Sequence, residues 1–232
     1  MIEVIDATFA PDTSSDAVVF PNTMIRIDGI ICAGKTTLLN ASKAKLNSNG
    51  IKTKVLYESP NPVMLDLFYT DMRQYAFCMQ MHMLQQRQRM HDTATAYKGT
   101  HKEYTSHKKG ARVWLDRTLW GDMAFILLNY ESGNISDKEL DAYQSVMKNI
   151  TRYAYDTIVF LDVSAQRSHY VNLKLCGKTS EKNIPLLYLK DLRRMYFIVL
   201  DKISKLQTIK LVLLSNDPFI KADSVREEIA KA

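Results

Sequence analysis

The chain has 232 residues, 46% of them hydrophobic and 24% charged, with a formal net charge of +6. That suits one α/β domain with a sizeable core, and the 8 glycines and 6 prolines are too few for a linker-rich or disordered chain. No apolar run approaches the length of a membrane span, and the acidic N-terminal stretch reads as neither a secretory signal nor an Arg-rich transit peptide. A cytoplasmic location is the expectation. Cys32, Cys78 and Cys176 are far apart and form no CxxC pair, so they read as reduced thiols rather than a disulfide framework or zinc site. The densest basic run, 98–112, is mixed with Gly, Ser, Thr and Glu and has no helix-turn-helix pattern. It reads as a solvated loop, which argues against nucleic acid as a partner.

Residues 1–22, with Pro11, Ser14, Ser15 and Pro21, read as a flexible arm, and residues 23–232 as one domain. Met24–Asp28 alternates as a strand, and a glycine-bounded loop, Gly29–Gly34, follows. Lys35–Asn47 is a helix closed by Asn49-Gly50. Ile51–Tyr57 is a second strand, with a Pro-rich turn, residues 59–63, behind it. A long helix runs from Asp71 to about Tyr97. Val113–Leu115 is a short strand, and Leu119–Tyr130 and Asp137–Ile150 are helices around the turn SGNISD. Thr157–Leu161 is a continuous apolar strand of the kind buried in parallel sheets. Pro185–Leu206 is helical, Leu211–Leu214 a last strand, and Pro218 onward a last helix. Strand and helix alternate from end to end, which specifies a parallel sheet with helices on both faces.

Gly29-Ile30-Ile31-Cys32-Ala33-Gly34-Lys35-Thr36 fits GxxxxGK[ST] at every fixed position, between a strand and a helix. Such a loop turns its backbone N–H groups toward phosphate, and the helix start, including Thr37, adds partial positive charge. Lys35 is expected on the β- and γ-phosphates and the Thr36 hydroxyl on Mg²⁺. The loop fixes a triphosphate donor but not the acceptor.

Ligands of a doubly wound sheet sit beyond the carboxyl ends of its strands. Glu58 follows the second strand, where it reads either as a base for an acceptor hydroxyl or as a solvated turn residue. Asp116-Arg117-Thr118 follows the third strand. Asp116 there suits Mg²⁺ and Arg117 the charge on a transferring phosphoryl group, while a plain helix cap also fits Thr118. On the long helix, Gln80, Met83, Leu84 and Arg87 share one face. That face could read a base edge or be a surface stripe.

Taken together, these residues resemble the cellular deoxynucleoside kinase family, from about Ile25 to the last helix. Glu58-Ser59-Pro60 resembles its Glu-Pro motif with one residue inserted, and the resemblance implies Glu58 as general base on the sugar 5′-hydroxyl. Tyr69 matches the sugar-contacting Tyr eleven residues before the base-reading Gln, here Gln80, and Arg87 the Arg seven residues later. Asp116-Arg117-Thr118 resembles Glu-Arg-Ser, and Asp122 the Asp that follows it. Glu181, before Ile184-Pro185-Leu186, resembles the lid Glu on the 3′-hydroxyl. The family's lid Arg-x-Arg pair is here Cys176 and Lys178, which leaves Lys178 for the phosphates, alone or with Lys174. The base-stacking aromatic position is Ile126, with Phe125 expected to point elsewhere.

The resemblance implies a P-loop kinase with a five-stranded parallel sheet and a lid, using ATP and Mg²⁺. The Arg87–Asp122 pair implies purine deoxynucleosides or deoxycytidine over thymidine, with Met83 narrowing the pocket. It also implies a homodimer through a helix pair, and Met123, Leu127 and Tyr143 sit on helices that could form it. A thymidylate-type nucleoside monophosphate kinase is the alternative enzyme, and a nucleotide-gated binding module the non-enzymatic one.

Overall fold

The computed structural model describes residues 24–48, 53–100, 112–150, 157–175, 184–205 and 210–215. Five strands, β1 (Met24–Asp28), β2 (Thr53–Leu56), β3 (Arg112–Asp116), β4 (Thr157–Asp162) and β5 (Lys210–Ser215), form one sheet in the order β2-β3-β1-β4-β5. Every pair is parallel. The helices are α1 (Lys35–Ser48), α2 (Pro62–Thr70), α3 (Met72–Thr100), α4 (Leu119–Glu131), α5 (Asp137–Ile150), α6 (Ala165–Lys174) and α7 (Leu186–Ser204).

The period-2 alternation of the strands divides the core. Ile25, Ile27, Val55, Trp114, Val159 and Val212 gather on the face that packs Leu38 and Leu39 of α1. Their neighbours in the strands turn the other way. Met24, Val113 and Leu115 meet Met90, Ala94 and Tyr97 of α3. Ile158, Phe160, Leu211 and Leu213 join a large cluster with α4 and α7. Two helical layers thus enclose one sheet. Burying each large apolar side chain here, such as Phe160 or Ile126, contributes about 1.5–3 kcal/mol.

The register brings the carboxyl ends of β1 and β3 level, with Ile27 opposite Asp116, so the phosphate loop and Asp116-Arg117-Thr118 emerge side by side. Arg117 N–H then donates to the Ile27 carbonyl at 2.8 Å. Asp28, one residue on, reaches across to Thr118.

Two helices differ from the sequence reading. The Pro-rich turn at 59–63 instead opens α2: the Asn61 side chain accepts from the N–H groups of Val63 and Met64, and Pro62 occupies the first helical position. Proline is well suited there because its missing donor would be unpaired anyway. No element was expected at 165–174, where Ser164 caps α6 by accepting from Arg167 N–H at 3.2 Å. Cys32 is disulfide-bonded rather than a free thiol, against the cysteine reading. Met123, Leu127 and Tyr143 are 1%, 8% and 0% exposed within this chain's own core, so they are not available to a partner copy. No described helix is long and apolar enough to cross a membrane. The arm at 1–22, the lid residues Cys176, Lys178 and Glu181, most of the basic run and the helix after Pro218 lie outside the described residues.

Candidate active site

The loop begins and ends on glycines in backbone conformations that side chains disfavour, Gly29 at φ 149° and Gly34 at φ 95°. A Cβ on Gly29 would stand 2.4 Å from the Leu161 carbonyl oxygen, so β4 closes directly on the loop. From α6, the Ser168 hydroxyl donates to the Ile31 carbonyl. Lys35 Nζ donates to the carbonyls of Gly29 at 3.1 Å and Ile30 at 2.8 Å. Burial, and then the nearby Arg117 charge, push its pKa down to about 8. Ile31, Cys32, Ala33, Gly34, Lys35, Thr36 and Thr37 line one wall of a cavity of about 670 Å³. Gly29 and Ile30 stand behind that wall.

Across the cavity runs a row of alternating charges. Glu58 Oε2 accepts from Arg117 Nε at 2.7 Å, and Glu58 Oε1 from Arg87 Nη2 at 2.6 Å. Arg87 Nη1 lies 2.5 Å from Asp122 Oδ1 as an ion pair without hydrogen-bond alignment. The Glu58 side chain is 15% exposed and those of Arg117, Arg87 and Asp122 8%, 3% and 1%, so the row is largely shielded from solvent. Burial alone would raise the Glu58 carboxyl, but the charges of Arg117 and Arg87 outweigh it and hold the pKa at about 2. Asp122 goes the other way. Burial raises it to about 7 against the pull of Arg87.

Helix α3 supplies Met79, Gln80, Met83 and Arg87 to the lining, and α2 supplies Leu65, Phe68 and Tyr69. Leu84, expected on the same face as Gln80, is 1% exposed in the core and does not reach the cavity. Phe125 does line the cavity, with the Arg117 guanidinium 5.0 Å from its ring centroid, whereas Ile126 is fully buried. That reverses the sequence reading. Phe125 lies three residues after Asp122 on α4, which places both on one face. Gln80 Oε1, Arg87 Nε, Asp122 Oδ2 and Asp116 Oδ1 are buried without a hydrogen-bond partner among the described residues, and all four residues line this cavity. Each such atom costs about 1–3 kcal/mol, so their convergence marks where a polar ligand would supply the missing bonds.

The exposed Thr36 and the buried Asp116 both line this cavity. A hydroxyl on the first turn of the loop helix and a carboxylate with an oxygen to spare fit Mg²⁺, which keeps waters and substrate phosphates among its ligands. Burial raises the Asp116 pKa despite Lys35 and Arg117 nearby. Sequence reasoning overlooked Asp28 and Tyr196, both bonded around Arg117. Asp28 could have been flagged by its place just before the loop, but nothing in the sequence singles out Tyr196.

The family profile described as deoxynucleoside kinase matches residues 25–232. The chain belongs to the deoxynucleoside kinase family. It is 30% identical over 185 residues to a deoxyadenosine kinase of Dictyostelium discoideum, covering 79% of this chain and 69% of that one. A deoxyguanosine kinase of Lactobacillus acidophilus is 32% identical over 130 residues, covering 55% of this chain and 49% of that relative, about half its length. Among solved structures, deoxyadenosine kinase from M. mycoides with bound dATP superimposes with a TM-score of 0.66 at 21% identity, covering 90% of this chain and 96% of that one. The same enzyme with product dCMP gives 0.63. The five-stranded parallel sheet of this deoxynucleoside kinase is thus the P-loop kinase fold.

Proposed function

We propose that this deoxynucleoside kinase transfers the γ-phosphoryl group of ATP to the 5′-hydroxyl of a purine deoxynucleoside or deoxycytidine. The observation that carries the reading is the Arg117–Glu58–Arg87–Asp122 row, set in one cavity between the phosphate loop and α3. In this account Glu58 accepts the 5′-hydroxyl proton as that oxygen attacks phosphorus in line. Lys35 and Arg117 offset the charge on the transferred group and leaving oxygen. Bound Mg²⁺, held by Thr36 and Asp116, would neutralise phosphate charge. A carboxylate of pKa about 2 is a weak base in itself. It gains strength when the negative charge of a bound triphosphate beside Arg117 offsets the pull of the two arginines on Glu58.

Gln80, Arg87 and Asp122 would read the base. Their partnerless atoms suit amino and ring-nitrogen groups at a base edge, and the names of the relatives agree with a purine acceptor. Phe125 and Phe68 supply apolar walls, Met83 bounds the pocket, and Tyr69 with the lid Glu181 would hold the 3′-hydroxyl. Lys178 would cover the phosphates. A cytoplasmic homodimer belongs to the same reading. The test offers ATP and Mg²⁺ with deoxyadenosine in one reaction and with thymidylate in another. Formation of dAMP is expected. Formation of dTDP without dAMP would instead make the protein a monophosphate kinase.

A further inference from the structure

Asp28 ends β1 immediately before the phosphate loop and is 1% exposed. Both its oxygens are taken. Oδ1 accepts from Gly29 N–H at 2.9 Å and from the Tyr196 hydroxyl at 2.7 Å. Oδ2 accepts from Thr118 N–H at 3.0 Å and from the Thr118 hydroxyl. Gly121 packs so tightly above it that a Cβ there would stand 2.3 Å from Oδ2. One carboxylate therefore ties together the start of the loop, the cap of α4 and the middle of α7.

Tyr196 passes this hold to Arg117. Its hydroxyl accepts from Arg117 Nη1 at 2.9 Å, and the same nitrogen donates to the Gly29 carbonyl at 2.9 Å. Burial, and then the charge of Asp28, keep the hydroxyl protonated by raising its pKa well above the usual value. Its ring is wedged 5.4 Å from Phe160 and 6.2 Å from Phe125, centroid to centroid. Arg117 itself sits at φ 67°, a conformation that costs a non-glycine residue about 1–3 kcal/mol and persists only where its surroundings impose it. With Nε on Glu58 and Nη1 on Tyr196 and Gly29, Nη2 makes no hydrogen bond to any described residue.

We propose that Asp28 and Tyr196 are positioning residues for phosphoryl transfer, which hold the Arg117 guanidinium in place and leave Nη2 free to address the transferring group. The inference rests on the kinase reading above. As Glu58 takes the acceptor's proton it loses its charge and its grip on Nε. The anchors on Nη1 are then what keep the guanidinium aimed. An arginine left to find its orientation during the reaction would lose the advantage of preorganised charge stabilisation. Because the anchors act when charge develops, their loss lowers kcat and leaves substrate binding largely intact.

The test is a double-mutant cycle. Tyr196→Phe keeps the ring and its packing and removes only the hydroxyl. We expect it to lower kcat about tenfold with KM for ATP and nucleoside within about twofold. In an Arg117→Lys background, where Nη1 no longer exists, the same change is expected to have almost no further effect. Asp28→Asn, checked for a cooperative melt, is expected to show the same split of kcat from KM. Undiminished kcat in Tyr196→Phe, or an equal loss in both backgrounds, overturns the positioning role while the kinase reading stands. A wild-type protein that forms no nucleoside monophosphate overturns both.

Discussion

Replacing Glu58 by Gln removes one charge from between two buried arginines and keeps the shape of the side chain. The folded structure holds the Glu58 pKa at about 2 against an ordinary 4.5, which corresponds to roughly 3 kcal/mol of folding stability at about 1.4 kcal/mol per pH unit. Because the folded pKa is depressed, this contribution is complete above the unfolded value of 4.5 and is lost as pH falls toward 2. Urea unfolding of wild type and variant across that range should show a gap of about 3 kcal/mol near neutrality that closes steadily in acid. The same variant loses the base on the 5′-hydroxyl, so turnover should fall by about 10²–10⁴-fold. ATP affinity should hold, because Glu58 hydrogen-bonds the two arginines and none of the loop. A stability gap that does not change with pH would refute the electrostatic argument. Turnover within a few-fold of wild type would remove Glu58 as the base.

Three further outcomes are expected. Asp122 becomes charged as pH rises through about 7, so kcat/KM for bases bearing an exocyclic amino group should rise across that interval, and Asp122→Asn should abolish the rise. Gly121→Ala would press a methyl group against the Asp28 carboxylate, which five neighbouring contacts prevent from moving, so unfolding should show a loss of more than about 2 kcal/mol. Asp116→Asn removes a charge with a partnerless oxygen on the cavity wall, and it should raise the Mg²⁺ concentration needed for half-maximal rate while the fold is retained.

What could be read from the sequence was what local pattern determines. The order of strands and helices follows from period-2 and period-3.6 patterning, and the loop motif fixed Lys35 and Thr36 at the start of α1. Glu58, Gln80, Arg87, Arg117 and Asp122 line one cavity, a grouping that the family resemblance implied and that position and helix spacing by themselves had left open. Helix α2 was hidden because Pro62 reads as a breaker until Asn61 is seen to cap it. Phe125 was misjudged because its direction depends on how α4 rolls against α7, which places Ile126 in the core instead. The Asp28–Tyr196 bond joins residues 168 apart in the chain, and no local pattern announces it.

The most direct test is to incubate the purified protein with ATP, Mg²⁺ and each of the four deoxynucleosides separately, and to resolve the monophosphates formed. The account expects product from deoxyadenosine, deoxyguanosine or deoxycytidine and little from thymidine. Mainly thymidylate would contradict the role given to Arg87 and Asp122. No monophosphate from any of the four, in protein that binds ATP, would contradict the account as a whole.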